Sequence, residues 1–221
     1  MGIKIPLNLK LKKRSQKELA YAQDILVEEI YVFFPKAIIH GGTAIWRCYN
    51  GNRFSDDIDI YIEKDKKKID DFFGSLEKKS FQIIKKRIKE NSIYSKIIIG
   101  GISMEFEATF QVKKPVLKQY ETSESFFINV YTLSPEELVK EKVNAYMKRR
   151  KIRDLYDIFF LLNYTKKEEE IINYLNNLIR NFQVPLDEEN LKAIIISGAV
   201  PNSKQLLEAI EKWVRKNIFK K

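Results

Sequence analysis

One cysteine in 221 residues, Cys48, leaves no partner for an intrachain disulfide and fits a reducing compartment. One histidine, His40, and that one cysteine give no cluster of zinc-ligating spacing, and no serine triad can be assembled. No Walker lysine follows the glycines of the only glycine-pair turn that precedes a helix. No apolar run approaches the ~18 residues of a membrane span. The opening MGIKIPLNLKLKK lacks the long apolar stretch of a secretory signal, and Pro6 stands where a myristoylation site needs Ser or Thr. These absences lead to the expectation of a cytoplasmic protein with no membrane partner. Cys48 itself reads as a small core residue.

Charge is abundant and one-sided. Lys and Arg number 40 against 30 Asp and Glu, a formal net charge of +10, while 44% of residues are hydrophobic. Such a chain can bury a core and still attract a polyanion, nucleic acid first among candidates. A lysine surplus also accompanies thermophilic composition, so charge alone does not select RNA or DNA.

The informative stretch is residues 38 to 62, IIHGGTAIWRCYNGNRFSDDIDIYI. An apolar run ends at His40-Gly41-Gly42-Thr43, where two residues without Cβ let the chain turn tightly and let a phosphate approach the amides. Thr43 is expected to open a helix over Ala44 to Tyr49, whose N-terminal amides favour an anion. Asp57-Ile58-Asp59-Ile60-Tyr61-Ile62 then alternates strictly, so Asp57 and Asp59 share one face of a strand and the isoleucines the other. Carboxylates ~7 Å apart on one face are unfavourable without a cation. Mg²⁺ or Mn²⁺, a hard ion that takes carboxylates together with substrate phosphates, fits them. A glycine turn for a triphosphate beside an Asp-x-Asp strand for two ions is what nucleotidyl transfer requires. The plain alternative is a solvated edge strand with acidic outer positions.

Gly41-Gly42-Thr43-Ala44-Ile45 followed by Arg53-x-Ser55-x-Asp57-Ile58-Asp59 resembles the first motif of nucleotidyltransferase-like toxins of the AbiEii/AbiGii class. That class belongs to the polymerase-β-type nucleotidyltransferase superfamily, and the resemblance runs from about Ser15 to Thr165. It implies an α/β (α+β) fold, with a mixed sheet and flanking helices followed by a C-terminal helical domain. It also implies that Gly41, Gly42, Thr43, Arg53 and Ser55 bind the nucleotide. A third carboxylate is implied on a neighbouring strand, within an apolar-acidic-apolar triplet. Both Met104-Glu105-Phe106 and Phe106-Glu107-Ala108 fit; Glu105 is favoured, Glu107 competes, and the metal set is Asp57, Asp59 and Glu105.

Along the chain, Ser15 is expected to cap a helix over Gln16 to Phe33 that Pro35 ends. Lys64 to Lys68 reads as a charged turn before a helix from Ile69 to Lys79. Phe81 to Ile88 and Tyr94 to Ile99 read as a hairpin, Ile102 to Phe110 as a strand, Lys113-Lys114-Pro115 as the start of a linker, and Phe126 to Tyr131 as a strand. Ser134-Pro135-Glu136-Glu137 is a capping box with Pro at N1. From Glu136 to Val184 there is neither glycine nor proline. The chain therefore divides into a catalytic domain, 1–133, and a helical domain, 134–221. Three further helices are expected around Ile171–Ile179, Leu191–Ile196 and Ser203–Val214, and Lys220-Lys221 reads as a solvated tail.

Lys142, Arg149, Arg153, Asp154 and Asp157 match the second motif of the same toxin class. On one continuous helix the three cations would fall within ~40° of each other, a stripe suited to a triphosphate. The resemblance makes Lys142 a phosphate contact and Asp154 its functional partner, with Arg149, Arg153 and Asp157 as further nucleotide-binding candidates. An ordinary exposed basic helix is the plain reading of the run Lys148 to Lys151. The resemblance finally implies an NTP substrate, an RNA acceptor such as a tRNA 3′ end, and a cognate antitoxin. The rivals are the same fold acting on a protein or small molecule, and a non-catalytic binding module.

Overall fold

The computed structural model describes residues 6–218. The first residues of the MGIKIPLNLKLKK opening and the Lys220-Lys221 end, read above from sequence, lie outside the described residues. The chain forms two compact units, the first ending at Thr132 and the second beginning at Leu133.

The first unit is built on a seven-stranded mixed sheet. Its strands are β1 (Ile38–His40), β2 (Ile58–Ile62), β3 (Gln82–Ile88), β4 (Ser92–Ile99), β5 (Ile102–Phe110), β6 (Val116–Glu121) and β7 (Phe127–Thr132), in the order β3-β4-β5-β2-β1-β7-β6. β2 runs antiparallel to β1 and parallel to β5, so it is held centrally by strands distant in sequence. Four helices belong to this unit: α1 (Leu7–Lys10), α2 (Arg14–Phe33), α3 (Gly41–Cys48) and α4 (Lys66–Lys78). Ile58, Ile60, Phe106, Ala108, Ile93 and Ile97 point to one face of the sheet and are buried with Leu26, Ile30, Phe72 and Phe73 of α2 and α4. Phe72 sits among Phe33, Phe34, Phe73 and Phe106 with ring centroids 5.3 to 6.1 Å apart, anchoring α4 to β5 and to the end of α2.

The strands of the sequence motif appear where alternation puts them, but several boundaries differ for local reasons. Helix α4 starts at Lys66 and absorbs part of the expected charged turn, because the Asp65 carboxylate accepts the Lys68 amide at 3.1 Å and caps it. Helix α2 begins at Arg14 with no side-chain cap, so Ser15 does not serve as one. Helix α3 begins at Gly41 rather than at Thr43, since Gly41 takes φ +67° and turns the chain directly into the helix. The expected linker after Pro115 is strand β6, which pairs antiparallel with β7 from Val116↔Thr132 to Glu121↔Phe127.

The second unit is helical: α5 (Pro135–Arg149), α6 (Ile152–Leu161), α7 (Ile172–Arg180), α8 (Asn190–Ile194) and α9 (Ser203–Ile218), with a 3₁₀ turn at Glu168–Glu170. The Ser134 hydroxyl accepts the Glu137 amide at 3.2 Å, and Pro135 occupies the first turn. Leu138, Val139, Val143, Leu155, Ile158, Leu161, Leu175, Leu178, Leu206 and Ile210 are buried. The continuous helix expected through the second motif is broken. Arg150 adopts φ 51° as a left-handed cap whose amide bonds Tyr146 O at 2.8 Å, and Lys151 is extended before α6 starts. No glycine marks this break, which is why the sequence hid it. Among the described residues, no helix is long and apolar enough to cross a membrane.

Candidate functional site

The glycine turn and the Asp-x-Asp strand are fitted to each other atom by atom. A Cβ on Gly41 would overlap the carboxylate of Asp59. A Cβ on Gly42 would overlap the Ser55 hydroxyl and stand 2.6 Å from the Arg53 guanidinium. A side chain at either position would therefore displace these groups, and Gly41 has a positive φ as well. The Thr43 hydroxyl donates to the backbone carbonyl of Asp57 at 2.5 Å, tying the first turn of α3 to the start of β2. Thr43 is fully buried, and this hydrogen bond clamps it to Asp57. The Gln23 amide on α2 donates to Ser55 O at 2.9 Å, and Arg53, 3% exposed, donates to Phe54 O at 3.0 Å. Together these contacts fix the loop that delivers Asp57.

The sheet register sets which acids neighbour the Asp-x-Asp strand. Asp59 of β2 stands beside Glu107 of β5 on one side and His40 of β1 on the other. The strand expected from Asp57 begins one residue later, so Asp57 lies just before β2, whose pairing with β5 starts at Ile58↔Phe106. Asp59, Glu105 and Glu107 face one way across the two strands. Glu107 is exposed, whereas Glu105 is half-buried and accepts the Tyr94 hydroxyl of β4 at 3.0 Å. That hydrogen bond, followed by burial and the negative field of Glu105, Glu107 and Asp57, holds the Tyr94 phenol above its ordinary pKa. The carboxylates do not converge: among the described residues, no three His, Cys, Asp or Glu side chains are gathered tightly enough to hold an ion. The donor set, carboxylate oxygens beside a glycine turn, is nonetheless the chemistry a hard divalent ion takes. His40 stacks on Tyr61 with centroids 3.9 Å apart and planes 6° from parallel.

Behind this site lies a charged group that sequence periodicity did not flag. Arg47 of α3 is buried, donates to Ala20 O and Glu121 O at 2.9 Å each, and pairs with Asp24 at 3.1 Å. Asp24 also accepts the Tyr120 hydroxyl at 3.0 Å and the Ser123 amide at 2.6 Å. The group joins α2, α3 and β6 and so fixes the helix that carries the glycine turn. An arginine on the apolar side of a short helix was the available signal.

The second motif lies in the second unit, as a network. Lys142 of α5, 6% exposed, reaches Asp157 at 2.8 Å and Asp154 at 3.5 Å. Arg149 grips Asp154 through both Nε and a terminal nitrogen, at 2.8 and 2.9 Å. Both aspartates are fully buried, and the break at Arg150 folds α6 back so that they meet α5. Arg153 lies half-buried on α6. In place of a stripe of like charges, Lys142 and Arg149 of the motif are paired with its two aspartates.

No curated protein matches the chain significantly in sequence. Among solved structures, JHP933 from Helicobacter pylori is similar over 90% of this chain and 93% of its own, with TM-score 0.59 and 16% identity. The MenT4 nucleotidyltransferase toxin from Mycobacterium tuberculosis is similar over 96% of this chain and 94% of its own, with TM-score 0.61 and 14% identity. At these identities the likeness is one of fold, and it bears out the expected mixed sheet with flanking helices and a helical second part. The profile of the family described as nucleotidyl transferase AbiEii toxin, type IV toxin–antitoxin system, matches residues 24–195, more than three quarters of the sequence, and the chain belongs to that family of nucleotidyltransferases.

Proposed function

We propose that this nucleotidyltransferase moves a nucleoside monophosphate from an NTP to a hydroxyl at the 3′ end of an RNA, with a tRNA as the acceptor, releasing pyrophosphate. The observation that carries this reading is the seating of the Asp59 carboxylate against Gly41, with Glu107 and Glu105 on the adjoining strand. Asp57, Asp59 and one acid of β5 would hold divalent ions, Mg²⁺ or Mn²⁺. Such ions, when bound, supply the charge neutralisation and the activated acceptor oxygen that phosphoryl transfer requires. Glu105 is the preferred third acid, because Tyr94 orients it.

The remaining work falls to the chain. The Gly41-Gly42 turn and the first amides of α3 receive the triphosphate, and the absence of Cβ lets it approach. Arg53 and Ser55 hold the Gly42 side of that turn in shape. Thr43 keeps Asp57 in line with the turn. Lys142, Arg149, Arg153, Asp154 and Asp157 of the second motif serve the nucleotide as well, Asp154 and Asp157 setting the direction of Lys142. As a member of a toxin family, the protein is read as the growth-arresting half of a cytoplasmic pair with a cognate antitoxin.

The experiment is incubation with Mg²⁺, total tRNA and each of four α-labelled NTPs, resolved on a denaturing gel. Label on RNA that disappears in Asp57→Ala/Asp59→Ala, with the fold intact, supports the reading and names the base. Label on a protein or small molecule in place of RNA would move the acceptor, and undiminished activity in the double variant would overturn the site.

A further inference from the structure

The acid-bearing face of the sheet continues past the carboxylates to a basic edge. Reading the register outward, Asp59 stands beside Glu107, Glu107 beside Tyr94, and Tyr94 beside Arg87 of the edge strand β3. The next row on the same face runs Glu105, Lys96, Lys85. Partners in register share a face, so Arg87, Lys85 and Lys96 lie on the side of the sheet that carries the acids. All three are exposed, and the Lys85 ammonium lies 5.3 Å from the centre of the Tyr94 ring whose hydroxyl binds Glu105. Three strand spacings, ~14 Å at the backbone, separate Arg87 from Asp59.

Lys86, between Lys85 and Arg87, does something else. Its register partner Ser95 is fully buried on the opposite face, and its ammonium sits 4.7 Å from the centre of the Phe73 ring of α4. Lysine on an edge strand commonly guards against strand-to-strand aggregation, and Lys86 suits that role. Guarding an edge does not require Lys85, Arg87 and Lys96 to be aligned on the face that leads to the acids.

We propose that Lys85, Arg87 and Lys96 form the landing strip for the acceptor, binding the backbone phosphates of a single-stranded RNA end. The inference rests on the nucleotidyl-transfer reading above. A linear polyanion is attracted by the strip, and with its backbone phosphates held there its terminal hydroxyls extend toward Asp57 and Asp59. A small neutral acceptor would gain nothing from such a strip.

The test compares wild type, Lys85→Gln/Arg87→Gln/Lys96→Gln and the single variant Lys86→Gln. The readouts are binding of a fluorescein-labelled single-stranded RNA across a salt series, the thermal shift produced by Mg²⁺ with NTP, and label transfer to tRNA. At ~0.7 of salt slope per phosphate contact on a single strand, the triple variant should lose about 100-fold in RNA affinity at 0.1 M salt, and its slope should fall by roughly 2. Its Mg²⁺–NTP shift should stay as in wild type, which also reports an intact fold, and Lys86→Gln should bind RNA as wild type does. Wild-type label on RNA together with unchanged RNA affinity in the triple variant overturns the strip while leaving the transferase reading in place. An equal loss in Lys86→Gln overturns it too, since charge at large would then explain the binding. So does a triple variant that aggregates but binds RNA normally. Wild type that labels only a protein through these residues overturns both the strip and the RNA acceptor.

Discussion

The carboxylate of Asp59 fills the space in which a side chain on Gly41 would begin. Turn and acid-bearing strand are thus fitted to each other, and a side chain at Gly41 displaces Asp59. Gly41→Ala should cost about 1–2 kcal/mol through its left-handed backbone alone, and must also displace Asp59. We expect the variant to fold, with a lowered melting temperature, and to lose at least ~10²-fold in kcat. Thermal melts beside single-turnover label transfer check this, and full activity in a folded Gly41→Ala would refute the coupling.

Thr43 offers a finer probe. Thr43→Val keeps the shape and removes the hydroxyl that holds the Asp57 carbonyl. The expected stability loss is about 1 kcal/mol, with a fall in kcat that Thr43→Ser largely restores. A triphosphate-binding role for the hydroxyl would instead show as a raised KM for NTP.

Glu105 and Glu107 can be separated directly. Glu105 is oriented by Tyr94 and Glu107 is exposed. Glu105→Gln should lower kcat by ~10²-fold or more, whereas Glu107→Gln should stay within about 10-fold of wild type. The opposite ranking would assign the third acid to Glu107, the residue in register with Asp59.

The two buried ionic groups predict large stability losses. Asp24→Ala leaves the buried Arg47 without its carboxylate partner, and Lys142→Met removes a buried cation from beside two fully buried aspartates, with Arg149 still holding Asp154; each should cost about 3–5 kcal/mol, measured by urea unfolding. A milder outcome for Arg149→Ala is expected, because its side chain is 45% exposed.

Cys48 provides a pH-dependent readout on α3. Burial first, opposed by the nearby charges of Arg47 and Lys118, pushes its thiol up to about 12. A folded pKa above the unfolded value favours the neutral thiol, so its contribution is complete below about 8.5 and is lost as pH rises from there toward 12. The native thiol should accordingly react slowly with a disulfide reagent at pH 8, and quickly once urea unfolds the chain. Fast native labelling would contradict this.

How much of this was legible beforehand follows from the range of each interaction. Alternation at Asp57–Ile62 and at Ile102–Phe110 is local, so both acid-bearing strands could be read directly. The register that sets Asp59 beside Glu107 depends on pairing across more than forty residues, and composition does not encode it. Arg150 broke a helix without glycine or proline, because a left-handed cap there lets Asp154 and Asp157 fold onto Lys142. The role of Arg47 had no local pattern to announce it, since its partners Asp24 and Glu121 come from two distant elements. The second motif was identified by its resemblance to the toxin class, but its ion-paired geometry required the fold.

β2 is flanked by β1 and by β5, and β5 ends at Phe110. During synthesis the acidic strand therefore waits for some fifty residues after Ile62 before its second neighbour exists. A growing chain halted earlier has the Asp-x-Asp sequence without the sheet that aligns it. For a protein of a toxin family, this makes catalytic competence a property that waits until half of the chain has been made.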